Sequence, residues 1–187
     1  HYVYGNHEDL MLDALVYGGR IYNSYELWWM QGGKQTFESY IDPTLTDYEK
    51  RIVQVKQTIP QEHLEFLAAL PMLVETEDYI FVHGGLKPGI KLEDQQLQDV
   101  IWIRDEFIDS TYDFGKKVIF GHTADSRGEY YNEKNVWGRN QRFMPIVKKN
   151  KIGIDTAVCP PSSHGLTAIQ LPSEIFYFQP SLSKASL

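Results

Sequence analysis

Three short stretches carry residue types suited to holding a metal ion: Gly5-Asn6-His7-Glu8, His83-Gly84-Gly85 and Gly121-His122-Thr123. Each follows an apolar run, Tyr2–Tyr4, Tyr79–Val82 and Lys117–Phe120 in turn. Imidazole nitrogen and amide oxygen are both reasonable donors to a divalent transition metal. Glycine beside them lets the backbone turn sharply or approach a small ion or a phosphate. Open α/β sheets bind ligands at the carboxyl ends of their strands, and these residues follow three predicted strands. Each stretch also has a plainer reading. His83 and His122 fit satisfied core histidines or turn residues, Asn6 fits a helix N-cap, and Glu8 and Asp9 fit first-turn acids facing the helix dipole. The recurrence of the pattern at three strand ends in one chain favours a joint site.

The elements that would place these residues form an α/β pattern. Glu8 to Val16 reads as a helix, with Met11/Leu15 and Leu12/Val16 four apart and Gly18-Gly19 stopping it. Tyr22–Tyr40, with Trp28, Trp29 and Gly32-Gly33, reads as a loop and a short helix. Thr46-Asp47-Tyr48-Glu49 fits a capping box before a stripe of Tyr48, Ile52, Val55 and Ile59. Pro60 opens a second helix whose Leu64, Leu67 and Leu70 share a face, and Pro71 closes it. Tyr2–Tyr4 reads as the end of a buried strand. Met72–Val74, Tyr79–Val82, Lys117–Phe120, Lys151–Ile154, Leu166–Leu171 and Ile175–Phe178 read as strands. The polar segment from Thr123 to Phe143 reads as a long surface loop, and 180–187 as a loosely ordered tail.

Composition narrows the classes. The 187 residues are 42% hydrophobic and 23% charged, ordinary for a soluble globular domain with its own core. A formal charge of −7, without a basic patch, argues against nucleic acid as a partner. The lone Cys159 has no internal disulfide partner, which points to a reducing, cytoplasmic setting. No apolar stretch approaches the ~20 residues of a membrane span, so no membrane partner is expected. No signal peptide is read, although the chain does not begin with Met. Nothing in the sequence bears on oligomeric state.

The order and wording of the three stretches resemble the phosphoprotein phosphatase branch of the calcineurin-like metallophosphoesterases. The resemblance extends to Gly32-Gly33-Lys34-Gln35-Thr36 through Tyr40, similar to a bacterial NGG…T…Y segment with Gln31 in place of the Asn. It also includes Trp102-Ile103-Arg104 as a W-x-R element, and Ile152–Thr156 with Leu166–Ala168 as a late strand pair. Small bacterial serine/threonine protein phosphatases and symmetrical diadenosine tetraphosphatases are the nearest in wording. The resemblance implies an α/β fold in which a β-sandwich is flanked by helices, four layers α/β/β/α. It implies a pair of divalent metals, manganese foremost, with iron or zinc as alternatives, and a phosphorylated protein, a phosphopeptide or a nucleotide as substrate. By position, Asn6, His83 and His122 match the ligands of one metal, His7 the histidine that protonates the leaving oxygen, and Arg104 the arginine that grips the phosphate. Arg104 otherwise reads as an ion-pair partner of Asp105 or Glu106.

Family members carry two further motifs upstream, of the forms GDxHG and GDxxDRG, and neither occurs in this sequence. On that pattern residues 1–179 read as the C-terminal two-thirds of one metallophosphoesterase domain, inactive alone. Three neutral ligands would leave a divalent charge uncompensated, so weak metal binding is expected. Asp155 reads as a structural hydrogen-bonder, His63 as an exposed helix residue and His164 as surface. Three activities stay open: a phosphoserine/phosphothreonine phosphatase, a dinucleoside polyphosphate hydrolase with Trp28 and Trp29 stacking a base, and a binding or structural module. The charged segment Ala124–Arg142, with Arg127, Lys134, Arg139 and Arg142, is either substrate-facing or a solvated loop.

Overall fold

The structure is a computed structural model and describes residues 1–18, 24–42, 44, 48–124, 143–158 and 164–181. The proposed capping box at Thr46, the charged segment from 125 to 142, Cys159 and the tail beyond Ser181 lie outside them. Contacts group into two compact units, Tyr2–Pro71 and Met72–Leu187 with His1.

The first unit is helical. Helix α1 (Asn6–Leu12) runs on into a π-helical turn, Asp13–Tyr17, that ends at Gly18 with φ +79°. The expected helix from Glu8 is therefore present and starts two residues earlier. Tyr2–Tyr4 is not a strand: Tyr2 is exposed, and the Tyr4 amide donates to the Pro71 carbonyl at 2.9 Å. From Ser24 to Tyr40 the chain is more regular than expected. Helix α2 (Ser24–Trp28), a π-helical turn (Trp29–Gly33) kinked at Gln31-Gly32, and α3 (Lys34–Glu38) follow one another directly. Packing explains this. Trp28 and Phe37 are buried, and Tyr25, Trp28, Trp29 and Phe37 form one aromatic cluster with centroids 5.5–6.5 Å apart. A Cβ at Gly33 would meet the Trp28 ring at 2.5 Å, so the glycine is what admits the indole. Helices α4 (Tyr48–Thr58) and α5 (Gln61–Ala68) lie where the sequence places them. Val55 and Ile59 are buried, and Leu64 and Leu67 are the least exposed residues of α5.

The second unit is a layered α/β structure. Strands β1 (Leu73–Glu75), β2 (Tyr79–Val82), β3 (Lys117–Phe120), β4 (Ile146–Lys148) and β5 (Lys151–Gly153) form a sheet of order β1-β2-β3-β5-β4. The central β2, β3 and β5 are parallel, and β1 and β4 are antiparallel edges. Strands β6 (Gly165–Gln170) and β7 (Ile175–Pro180) form a separate antiparallel hairpin. Pro180 closes β7 opposite Gly165, so the region expected to be a loose tail begins in a strand.

Strand alternation sends side chains to opposite faces. Tyr79, Phe81, Ile119 and Ile152 face the hairpin and pack with Phe176, Phe178 and Ile169. On the other face Phe120 meets Phe107, edge to face at 5.1 Å. Phe107 lies on α7 (Asp105–Ile108), which follows α6 (Leu97–Trp102). The sheet is thus covered by a hairpin on one side and short helices on the other, a mixed α/β arrangement consistent with part of a metallophosphoesterase sandwich. Neither short helix nor β4 was expected from the sequence.

Lys151 faces the helices and is 1% exposed, its ammonium 4.1 Å from the Phe107 ring centroid. Its Nζ donates to the Phe107 and Ser110 carbonyls, the latter at 2.8 Å. Burial, reinforced by the Lys148 charge and opposed by Asp109, lowers its pKa from 10.5 to about 8. A neutral amine retains two N–H donors for the two carbonyls, so deprotonation keeps the contacts and removes the buried charge. Below pH 8 the amine is charged in both folded and unfolded chains, and the full burial cost applies. Above 10.5 it is neutral in both. The wild type should therefore gain stability relative to Lys151→Met between pH 8 and 10.5. The expected gain is on the order of 1–2 kcal/mol after allowance for screening. Urea unfolding of both proteins at pH 7.5, 9 and 10.5 measures it.

Candidate metal centre at the strand ends

His83 directly follows β2, and His122 lies two residues beyond β3. The two strands are parallel neighbours in register Phe81↔Ile119, and the ladder continues past their ends with the Gly121 amide donating to the His83 carbonyl at 2.8 Å. That register brings the rings together. His83 Nε2 and His122 Nδ1 are 3.1 Å apart, with ring centroids at 4.9 Å and planes tilted by 54°. One nitrogen donates and the other accepts.

The backbone at His122 is unusual. Its φ is +62°, and the Thr123 amide donates to the Gly121 carbonyl at 2.6 Å. An i→i+2 bond around a positive-φ residue marks a strained γ-turn, costing a non-glycine residue about 1–2 kcal/mol. The surroundings hold it. Arg104 donates from one terminal nitrogen to the His122 carbonyl at 2.9 Å and to Thr123 Oγ1 at 3.1 Å. The Trp102 ring meets the His122 ring edge to face at 5.7 Å. Arg104 is exposed, and its hydrogen bonds run to this turn rather than to Asp105 or Glu106.

The His83 side is held as firmly. The Gly84 amide donates to the Val100 carbonyl of α6 at 2.8 Å. Gln95, 4% exposed, braces the following loop. Its Oε1 accepts from the Lys87 amide at 2.8 Å, and its Nε2 donates to the Lys87 and Ile90 carbonyls at 3.0 Å each. Gln95 carries no sequence signal, because a lone Gln in a loop has no pattern. Gln95→Ala should cost about 2 kcal/mol, read by urea unfolding, with faster amide exchange at Lys87. Gln95→Glu, which keeps the acceptor but sets a carboxylate oxygen against the Lys87 and Ile90 carbonyls, should cost at least as much.

Asn6 and His7 belong to the helical unit. Gly5 caps α1 there: its amide donates to the Glu8 carboxylate at 3.0 Å, and its carbonyl accepts from the Asp9 amide at 3.1 Å. Asn6 is therefore the first residue inside the helix, 2% exposed, and not its N-cap. His7 is exposed. Asp9 is buried and accepts from Tyr4 Oη at 3.1 Å. Of the remaining candidates, Asp155 accepts from the Ala157 amide at 3.0 Å, a local structural bond. His63 is exposed on α5 beside Tyr40 Oη at 2.9 Å. His164 is half-buried, not surface: its ring lies 5.3 Å from Phe178 and 6.1 Å from Phe143.

The imidazole pair fits a cation. Two nitrogens each about 2.0–2.2 Å from one ion in adjacent coordination positions stand about 2.9–3.4 Å apart, and 3.1 Å falls inside that range. Among the described residues, no group of three or more His, Cys, Asp or Glu converges as a metal site. The pair therefore offers two neutral donors. Among the described residues no helix is long and apolar enough to cross a membrane.

No protein-family model matches the chain, and no curated protein matches it. Among solved structures it is similar to "a putative diadenosine tetraphosphatase", with a TM-score of 0.49 and 17% identity over 87% of this chain and 74% of that one.

Proposed function

We propose that this chain carries part of the centre of a metal-dependent phosphoesterase acting on phosphoserine and phosphothreonine. The observation that supports this most is the His83–His122 pair, 3.1 Å apart at the carboxyl ends of adjacent parallel strands. Those two imidazoles would hold one divalent cation: manganese first, with iron or zinc as alternatives. When bound, such an ion supplies Lewis acidity toward water and phosphoryl oxygen.

The chain's own residues take the other roles. By its place in the motif, His7 would supply a proton to the departing oxygen, which leaves poorly as an alkoxide. Arg104 presents guanidinium N–H groups to the phosphoryl oxygens and offsets their charge. One terminal nitrogen is engaged by the turn, which leaves Nε and the other terminal nitrogen for the anion.

Hydrolysis of a phosphothreonine peptide and of diadenosine tetraphosphate, with and without manganese, tests the reading on the protein expressed from its gene. Manganese-dependent turnover of the peptide supports it. Preference for the dinucleotide moves the activity to polyphosphate hydrolysis. Turnover of neither makes the chain a binding module. Trp28 is 2% exposed within the aromatic cluster, so it offers no open face for a nucleobase.

A further inference from the structure

We infer that Arg104 is a positioning residue for His122: it clamps the γ-turn and so sets the spacing of the two imidazoles. The consequence for a cation rests on the proposed function; the clamp itself does not.

A positive-φ turn persists where its surroundings over-determine it. On one side the His122 turn is fixed by the strand ladder, through the Gly121 amide on the His83 carbonyl. On the other side a single Arg104 nitrogen binds the carbonyl of the strained residue and the hydroxyl of the next. A planar, charged donor with two N–H groups in fixed directions suits two acceptors on adjacent residues. Arg104 also sits on the frame that holds the other histidine. It lies two residues beyond Trp102, the last residue of α6, and α6 accepts the Gly84 amide through Val100. Trp102 adds edge-on contact with the His122 ring. The same short segment thus touches the residue after His83 and the backbone, ring and neighbour of His122. Losing the clamp should let the turn relax and the nitrogens separate.

Long-range ¹H–¹⁵N spectra of the histidine rings in the metal-free 187-residue chain test this. The wild type should show fixed tautomers, with one ring nitrogen a donor and its neighbour an acceptor. Arg104→Ala should collapse both rings toward averaged shifts, with the far-ultraviolet circular dichroism retained. Arg104→Lys, which restores a donor without the planar fork, should recover them in part. Manganese(II) affinity should fall about tenfold in Arg104→Ala and less in Arg104→Lys. If Arg104→Ala does not fold, Thr123→Val removes one of the two acceptors and is read the same way, with partial averaging expected.

The proposal is overturned if Arg104→Ala, or Thr123→Val in its place, keeps wild-type ring shifts. It is overturned equally if Arg104→Ala keeps both the wild-type ring shifts and manganese affinity and loses only affinity for inorganic phosphate, for then the residue serves the anion alone. Should His83→Ala leave manganese affinity unchanged, the cation reading fails, and the ring spectra still decide whether Arg104 clamps the turn.

Discussion

Gly85→Ala should destabilise the protein by about 3–5 kcal/mol, while Gly89→Ala, four residues on in the same loop, should cost only about 1 kcal/mol. Both glycines have positive φ, +147° at Gly85 and +80° at Gly89. At Gly89 a Cβ would meet nothing within 4 Å, so the cost is backbone strain alone. At Gly85 the same atom would lie 2.3 Å from Phe107 Cδ1 and 2.9 Å from Ile103 Cγ2. Phe107 is fully buried against Phe120 and beneath the Lys151 ammonium, so it has nowhere to retreat. Overpacking of that kind adds about 1–3 kcal/mol to the strain of a region that only glycine visits readily. Urea unfolding at constant slope separates the two variants. Equal losses would mean that the close approach of the loop to α7 is wrong.

His122→Ala should behave in the opposite way. It should cost little stability, below about 1 kcal/mol, since alanine pays the same backbone strain as histidine in the γ-turn and the ring is only partly buried. Manganese affinity, however, should fall on the order of 100-fold, because one of two adjacent imidazole donors is gone. Hydrolysis should fall with it. His63→Ala serves as the control, being an exposed residue of α5. A large stability loss in His122→Ala with unchanged metal affinity would make the pair a structural hydrogen bond and nothing more.

How legible each element was in the sequence depends on how strongly it is patterned. The central strands β2 and β3 are short, mainly apolar runs, because both faces are covered, by Phe176 and its neighbours on one side and Phe107 on the other. They were readable for that reason, and so were the histidines at their ends. Helix α5 was readable from leucines spaced by three. Helix α6 has six residues, α7 four and β4 three, too few for a period to emerge. They exist because Val100, Ile101 and Phe107 of the helices and Ile146 of β4 are buried. Tyr2–Tyr4 misled because an apolar run of three fits a strand and a part-exposed loop equally well; the Pro71 carbonyl takes the Tyr4 amide. In the site, histidine and glycine announce themselves by type. The clamp by Arg104 and the brace by Gln95 depend on backbone carbonyls, whose positions no side-chain pattern encodes.

The pairing of the two imidazoles on one cation is checked most directly by pulsed electron paramagnetic resonance of the manganese-loaded protein with ¹⁵N-labelled histidine. Couplings from two directly bound imidazole nitrogens are expected, falling to one in His83→Ala and to one in His122→Ala. A manganese ion that shows no histidine coupling, or couplings that neither substitution alters, would contradict the placement of a metal centre at the ends of β2 and β3.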